Sequence, residues 1–188
     1  MKQRDGTALF NRIAPIYGLF FRYQQRRYYE TIDGARAEFD FTRLASLLDV
    51  GCGTGALCSV LKAKGLAVTG IDPAEKMLRV AREQTAGQGI EFLQGNPGDG
   101  LPFADKSFDL AIASYVAHGL AKTERKKLYR EMNRVARERV ILFDYNQNRS
   151  PLTSFVEWME GGDYFRFIKT AEDELRNCVA DLKACFAE

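Results

Sequence analysis

Three glycines and one aspartate form the clearest chemical pattern in this sequence. Gly51, Gly53 and Gly55 follow a short apolar stretch, and Asp72 lies 21 residues after Gly51. Glycine permits positive φ and lets a ligand approach the backbone, because no Cβ stands in the way. An aspartate at the end of the next strand can accept hydrogen bonds from a ribose diol, and its charge disfavours a 2′-phosphate. The pattern predicts a nucleotide or nucleoside site, although the glycines alone would also suit a tight turn.

Few other residues offer reactive side chains. His118 is the only histidine, and the four cysteines, Cys52, Cys58, Cys178 and Cys185, form no CxxC pair. A structural zinc site needs closely spaced Cys and His ligands, so we expect no metal site. We expect no secretory signal after Met1, and no apolar run in the sequence reaches membrane length. We therefore expect reduced thiols in a cytoplasmic protein that has no membrane partner.

Alternating strands and helices must position these residues. Amphipathic stretches predict helices that follow Gly55, run from Pro73 to about Ala86, and run from Lys122 to Arg137. Strands alternating with helices imply a parallel sheet with right-handed crossovers, and ligands bind beyond the carboxyl ends of its strands. The predicted strands are Leu47–Val50, Leu66–Ile71, Ile90–Leu93, Phe108–Ala113 and Val140–Phe143.

The first 45 residues are predicted to be helical. Apolar residues recur there at helical spacing, and Pro15 is expected to kink or break the segment. The spaced residues are Phe10, Ile13, Ala14 and Tyr17. The aromatic side chains of this region would suit a small, partly apolar ligand, although core packing explains much of their presence.

Composition and charge exclude several classes of protein. The 188 residues suit one domain, and 46% hydrophobic with 28% charged residues excludes disorder and collagen. The net charge of +2 does not favour binding to nucleic acid or acidic membranes. Residues 122–139 hold eight basic and three acidic residues. The apolar residues of this segment share one helix face and are Leu128, Met132, Val135 and Ala136. We therefore interpret the charged residues as the opposite, solvent-exposed face of the helix and expect no nucleic-acid partner.

The glycine spacing leaves two ligand classes open. Dinucleotide-binding proteins carry G-x-G-x-x-G, whereas this loop is G-x-G-x-G with Ala56 at the place of the third glycine. Dinucleotide folds also allow alanine there, so the spacing does not exclude NAD. The flanking segments resemble the motifs of class I S-adenosylmethionine-dependent methyltransferases, with an N-terminal segment similar to the quinone-biosynthesis branch. The segments are residues 47–55, 68–72 with 77–78, 101–103 with 107–109, and, for the N-terminal similarity, 10–17.

This resemblance implies an α/β fold: a Rossmann-like, doubly wound, mainly parallel sheet with N-terminal helices. It implies a single domain, divided into a helical lid (1–45), a cofactor-binding core (46–145) and a helical C-terminal part (146–188). The family's sheet ends in two further strands, of which all or part is expected to be missing here. The segments near Leu152–Met159 and Ala171–Leu182 suggest helices instead. We therefore expect a homodimer partner or those helices to cover the edge of the fifth strand.

The resemblance also implies a set of residues around S-adenosylmethionine. The glycines and Cys52 would contact its methionine part, Asp49 its amino group, and Asp72 with Pro73 its ribose. Asn96 is preferred to Asp99 for the adenine amino group, and Met77 flanks adenine or serves only the core. The predicted cofactor-binding residues are Asp49, Gly51, Cys52, Gly53, Gly55, Asp72, Pro73, Met77, Asn96, Pro97, Ser114 and Tyr115.

The reaction implied is methyl transfer to a small-molecule acceptor. In-line displacement at the methyl carbon needs alignment, and a base only where the acceptor must lose a proton. His118 could be that base, or a solvated loop residue or helix-start residue. Tyr17 could close a lid or be a buried aromatic. Asp144 and Tyr145 are expected to face the acceptor. The alternatives are a cofactor-binding protein without methyl transfer and an NAD-dependent oxidoreductase.

Overall fold

A five-stranded parallel sheet forms the centre of the computed structural model, which describes residues 6–35, 40–144 and Thr170. The strand order is β3-β2-β1-β4-β5, and every neighbouring pair is parallel. This order confirms the predicted Rossmann-like, doubly wound sheet. The strands are β1 (Ser46–Val50), β2 (Ala67–Asp72), β3 (Glu91–Gln94), β4 (Phe108–Ser114) and β5 (Ala136–Phe143).

Helices cover both faces of the sheet, because the side chains of each strand alternate between the two faces. Leu48 and Val50 belong to one core with the last helix, and Leu47 belongs to a second core with the third helix. The three central strands β1, β2 and β4 are almost fully buried, as expected for parallel strands. The helices are α1 (Gly6–Leu19), α2 (Phe21–Gly34), α3 (Ala56–Ala63), α4 (Glu75–Gln84) and α5 (Lys122–Val135).

Two helices differ from the prediction in how they begin or end relative to a proline. Pro15 lies inside α1, and the helical segment is interrupted at Phe20 instead. The neighbouring Ala14 is fully buried against α4, and this packing holds the helix across the proline. Pro73 precedes α4 and does not begin it, because the cap residue Ala74 has an extended backbone.

The junction of α5 and β5 lies earlier than the pattern predicts. α5 ends at Val135 and β5 begins at Ala136, so Ala136 belongs to a strand and not to the helix face. The Lys106 ammonium donates hydrogen bonds to the carbonyls of Asn133 and Ala136, which ends the helix there. Helix periodicity cannot reveal such a distant donor, so the predicted helix extends two residues too far.

The remaining predictions concern membrane segments, the cysteines and the C-terminal part of the chain. Within the described residues, no helix is long and apolar enough to cross a membrane. The predicted helices at Leu152–Met159 and Ala171–Leu182 lie outside the described residues, as do Tyr145 and the expected end of the sheet. Cys178 and Cys185 also lie outside them, whereas Cys52 and Cys58 are buried free thiols.

Candidate functional site

The glycine loop joins β1 to α3 at the carboxyl edge of the sheet. Gly51, Gly53 and Gly55 have φ of +76°, +52° and +75°, a region that favours glycine. The amides of Gly51 and Cys52 donate to the Ile71 carbonyl at 2.8 and 3.1 Å, so the loop is fixed to β2. A Cβ added to Gly53 would have no atom within 4 Å, so this residue faces open space. The loop therefore offers bare backbone to a ligand.

Asp72 fixes the same loop from the end of β2. Its Oδ2 accepts a hydrogen bond from the Gly53 amide at 2.9 Å, and its Oδ1 accepts one from the Ala74 amide at 2.8 Å. Burial raises the pKa of this carboxyl, while the two amides act to lower it. Each carboxylate oxygen has a second lone pair, so Asp72 can hold the loop and still accept bonds from ligand hydroxyls.

Asp49 supplies a second carboxyl group, in β1. It is 1% exposed, and its Oδ2 accepts a hydrogen bond from the Cys58 thiol at 3.1 Å. Its Oδ1 is buried and has no hydrogen-bond partner among the described residues. Burial raises the pKa of Asp49 to about 7, and burial likewise raises the pKa of Cys52 to about 11. An uncommitted buried carboxylate oxygen suits a cationic donor such as an ammonium group.

Tyr28 is one of the N-terminal aromatic residues that the sequence associates with a partly apolar ligand, and it contacts the predicted site residue Ser114. Its hydroxyl accepts a hydrogen bond from Ser114 at 2.9 Å, and its ring packs edge-on against Phe143. Burial, and to a lesser extent nearby Asp49, raises the pKa of Tyr28 well above its ordinary value. Tyr28 lies on α2, 86 residues before Ser114, so only the tertiary fold brings the two together.

Tyr115 occupies a strained position at the end of β4. Its φ is +56°, and such values are rare for residues other than glycine and cluster at functional sites. Its amide donates to the Phe143 carbonyl at 2.8 Å, and the two rings meet edge-to-face with centroids 5.2 Å apart. Its side chain is 42% exposed, so the phenol is accessible beside the sheet edge.

His118 lies in a short 3-10 turn, Ala117–Gly119, directly after β4. It is 6% exposed, so the expectation of a solvated loop residue is wrong. Its Nδ1 lies 2.8 Å from Oδ1 of Asp144. The sequence predicts that Asp144 faces the acceptor, but no pattern in it indicates the pairing of Asp144 with the histidine.

Met77 and Tyr17 lie together at a different place, between α1 and α4. Met77 is 2% exposed and packs with Ala14 and Ala74, with Tyr17 against the same cluster. The core interpretation of Met77 is therefore confirmed, and its contact with adenine stays a prediction. Asn11 holds α1 in place, because its Oδ1 accepts a hydrogen bond from the Lys76 amide in the first turn of α4 at 2.9 Å.

Asn96 and Pro97 follow β3. The Asn96 amide oxygen accepts a hydrogen bond from Gly98 at 2.9 Å and so caps its own short turn. The Gly95 amide donates to the Asp72 carbonyl at 3.2 Å, which brings this turn beside the end of β2. Asn96 is exposed and Pro97 is buried, so the turn presents the amide group to solvent.

The carboxyl edge of the sheet thus brings most of the predicted residues together. Val116, directly before the turn that follows β4, lies against the glycine loop, because a Cβ on Gly51 would lie 2.4 Å from its Cγ2. The glycine loop, the two carboxyl groups and the turn after β4 therefore form one continuous edge. Its open glycine, uncommitted Asp49 oxygen and buried Asp72 fit a ligand that carries both a ribose and an ammonium group. Within the described ranges, no cluster of His, Cys, Asp and Glu could hold a metal ion.

Comparisons with known proteins agree with this geometry. Residues 48–143 match the model of a family described as a methyltransferase domain. A demethylmenaquinone methyltransferase of Thermotoga maritima is 34% identical over 148 residues, which cover 73% of this chain and 59% of that protein. The solved PH0226 protein of Pyrococcus horikoshii OT3 has 28% identity and a TM-score of 0.57, covering 62% of this chain and 56% of its own.

A solved SAM-dependent methyltransferase of Methanosarcina mazei is 30% identical with a TM-score of 0.50 and covers 55% of this chain and 53% of its own. The chain spans about half the length of the curated relatives it matches, 48% of two and 59% of a third. The matched segment runs from the middle of β1 to the last residue of β5, so it contains both the glycine loop and the turn after β4.

Proposed function

The chain belongs to the methyltransferase-domain family, whose cofactor is S-adenosylmethionine, and from this premise we propose that it transfers a methyl group to a small-molecule acceptor. The observation that carries the proposal is the carboxyl edge of the sheet. There an open Gly53, the Asp72 carboxylate and the uncommitted Asp49 oxygen lie within one loop and its two flanking strands.

The proposed cofactor contacts follow from these groups. The glycine loop and Cys52 contact the methionine part, and Asp49 pairs with its ammonium group. Asp72, with Pro73 beside it, accepts hydrogen bonds from the ribose hydroxyls. The turn after β3 and the first helix enclose adenine through Asn96, Pro97 and Met77, and Ser114 with Tyr115 lines the remaining wall.

S-adenosylmethionine supplies an electrophilic methyl group on a positively charged sulfur when it is bound. The chain's own residues must then align the acceptor, exclude water and hold a proton. We propose that His118 accepts the proton of the acceptor and that α1 and α2 form a lid, with Tyr17 over the cofactor. We propose residues 46–145 as the cofactor-binding core and 146–188 as a separate C-terminal part.

We propose a small, partly apolar acceptor. Aromatic rings lie at the ends of β4 and β5, where Tyr115 and Tyr28 both pack edge-on against Phe143. The relative from Thermotoga maritima is named as a demethylmenaquinone methyltransferase. A homodimer that covers the outer edge of β5 belongs to the same proposal, because an open strand edge invites association.

Methyl-label transfer tests the proposed activity. The chain is incubated with S-adenosylmethionine labelled on its methyl group and with a low-molecular-mass extract of bacterial cells. We expect label in a solvent-extractable small molecule, at least tenfold above a matched Asp72→Asn control. Binding of the cofactor without any labelled product would favour the alternative, a binding protein without methyl transfer.

A further inference from the structure

One carboxylate clamps the turn that follows β4. Asp144 comes directly after β5, which neighbours β4 in the sheet. Its Oδ2 accepts hydrogen bonds from the backbone amides of Ala117 and His118 at 2.8 and 3.2 Å. Its Oδ1 lies 2.8 Å from His118 Nδ1. The side chains of His118 and Asp144 are 8% and 9% exposed, so bulk water does not compete for these bonds.

The same turn is held from its other side by α5. Arg125 is fully buried, and its Nη1 donates to the carbonyl of Leu120 and, at 3.5 Å, towards that of Ala117. The backbone amides are thus fixed by a carboxylate and the carbonyls by a guanidinium. The backbone that carries His118 therefore cannot shift without breaking bonds on both sides of the turn, and the imidazole itself is held by its contact with Asp144.

The contact with Asp144 also decides which ring nitrogen carries hydrogen. An ionised carboxylate only accepts hydrogen bonds, so the 2.8 Å contact requires a hydrogen on Nδ1 of His118. In a neutral imidazole, the second nitrogen then has the lone pair. The arrangement therefore selects Nε2 as the atom that can take up a proton.

We infer that Asp144 is a positioning residue, which holds His118 as the Nδ1–H tautomer and makes Nε2 the proton acceptor for methyl transfer. The inference rests on the proposed function. In the step, a hydroxyl or amine hydrogen of the acceptor moves to Nε2, and its bonding pair stays on the acceptor atom. The resulting imidazolium keeps its positive charge against the Asp144 carboxylate, which lowers the energy of the charged ring.

Other charged or titratable groups also lie around this turn. Arg125 from α5 opposes the imidazolium, and Tyr115 at the end of β4 interacts electrostatically with Asp144. Arg27 and Tyr23 from α2 interact with Tyr115 and so act at longer range. Within the described residues Asp144 contacts the ring itself, so we expect its removal to change the titration of the histidine.

His118 is the only histidine in the sequence, so nitrogen NMR spectra of the full chain contain the signals of one imidazole ring and need no assignment among several. Long-range proton–nitrogen spectra of the uniformly labelled protein give the neutral tautomer of His118 and the midpoint of its titration. We expect Nδ1–H in the wild type. We expect Asp144→Asn to lower the titration midpoint by about one pH unit, because the imidazolium loses its negative partner. The control is Asp105→Asn, which removes an exposed carboxylate that pairs with Arg134, and it should leave both readings unchanged.

Three outcomes are decisive. The Nδ1–H tautomer with a lowered midpoint in Asp144→Asn supports the positioning role. A wild-type protein with the hydrogen on Nε2 overturns it, and this reading needs no variant to fold. An unchanged midpoint in a folded Asp144→Asn protein also overturns it. These spectra need no acceptor, so an absence of methyl transfer would count against the proposed function and leave the tautomer result standing.

Discussion

Asp49 is a single buried carboxyl group that lowers the stability of the fold when it is ionised. The fold raises the pKa of its carboxyl to about 7 by burial, well above the 3.8 of an unfolded chain. The folded state therefore binds more protons than the unfolded state between these values, and the contribution of Asp49 to stability is lost as pH rises through 7. A buried charged oxygen without a protein partner is costly unless a ligand supplies one.

Asp49→Asn should stabilise the ligand-free protein at pH 8 and leave it nearly unchanged at pH 4. The gain at pH 8 is bounded at about 4 kcal/mol, because each pKa unit corresponds to about 1.4 kcal/mol. Denaturant unfolding at the two pH values measures it. The same variant should bind S-adenosylhomocysteine more weakly, since the ammonium loses its carboxylate. Equal destabilisation at both pH values would contradict the role of a buried, uncompensated charge.

Asp72 holds the glycine loop, and in the proposed function it also binds the ribose. Asp72→Asn keeps the size of the side chain but removes its charge and one of its two acceptor oxygens, which now hold Gly53 and Ala74. We expect affinity for S-adenosylhomocysteine to fall by about 10- to 100-fold, the loss of one or two charged hydrogen bonds. Titration calorimetry measures this, with Asp105→Asn as the control. Unchanged affinity would remove Asp72 from the ribose site.

At the scale of elements, alanine substitutions can distinguish the cost of backbone strain from the loss of a ligand contact in the glycine loop. Gly53 and Gly89 both have positive φ and no atom within 4 Å of an added Cβ, but only Gly53 lies in the loop. Alanine at either position should cost about 1–2 kcal/mol of stability. Gly51→Ala should cost about 1–3 kcal/mol more, because its Cβ would overlap Val116.

The matched variants Gly53→Ala and Gly89→Ala should differ in their affinity for the cofactor product. Gly53→Ala should lose most of its affinity for S-adenosylhomocysteine, since the methyl group occupies the open face of the loop, and Gly89→Ala should bind as the wild type does. Thermal unfolding and calorimetry on the same samples separate the two effects. Equal affinity in both variants would show that Gly53 faces no ligand.

The contact between α1 and α4 makes a second prediction at this scale. Ala74, the cap residue of α4, has no side-chain acceptor, and Asn11 of α1 supplies one for the Lys76 amide. Asn11→Ala should cost about 1 kcal/mol, the usual value of a lost cap. Hydrogen exchange should quicken in the first turn of α4 and along α1. Unchanged exchange in both segments would show that Asn11 does not hold the two helices together.

The sequence predicted the elements that depend on local patterns. The apolar runs located all five strands within four residues at either end, and the glycine motif located the loop between β1 and α3. It could not predict the end of α5, which depends on Lys106 from a distant turn. It also could not predict that Tyr28 meets Ser114 or that Asp144 meets His118, because these pairs form only once the helices and strands pack.

At the scale of the whole molecule, the carboxyl edge of one sheet collects groups from five parts of the chain. β1 and its loop supply Asp49 and the glycines, β2 supplies Asp72, and the ends of β4 and β5 supply the histidine turn and its carboxylate. Tyr28 of α2 contacts Ser114 at the end of β4, and Asn11 of α1 contacts the first turn of α4, so the first two helices are the lid of the proposed function. Because these parts meet at one edge, loss of any one should weaken the same ligand site.

The most direct test of this account compares three ligands on the intact chain by titration calorimetry. S-adenosylmethionine and S-adenosylhomocysteine should each bind at one site, compete with one another and raise the unfolding temperature, whereas NAD should produce no saturable heat. A chain that binds NAD in preference, or one that is folded and binds neither S-adenosyl compound, would contradict the proposed function.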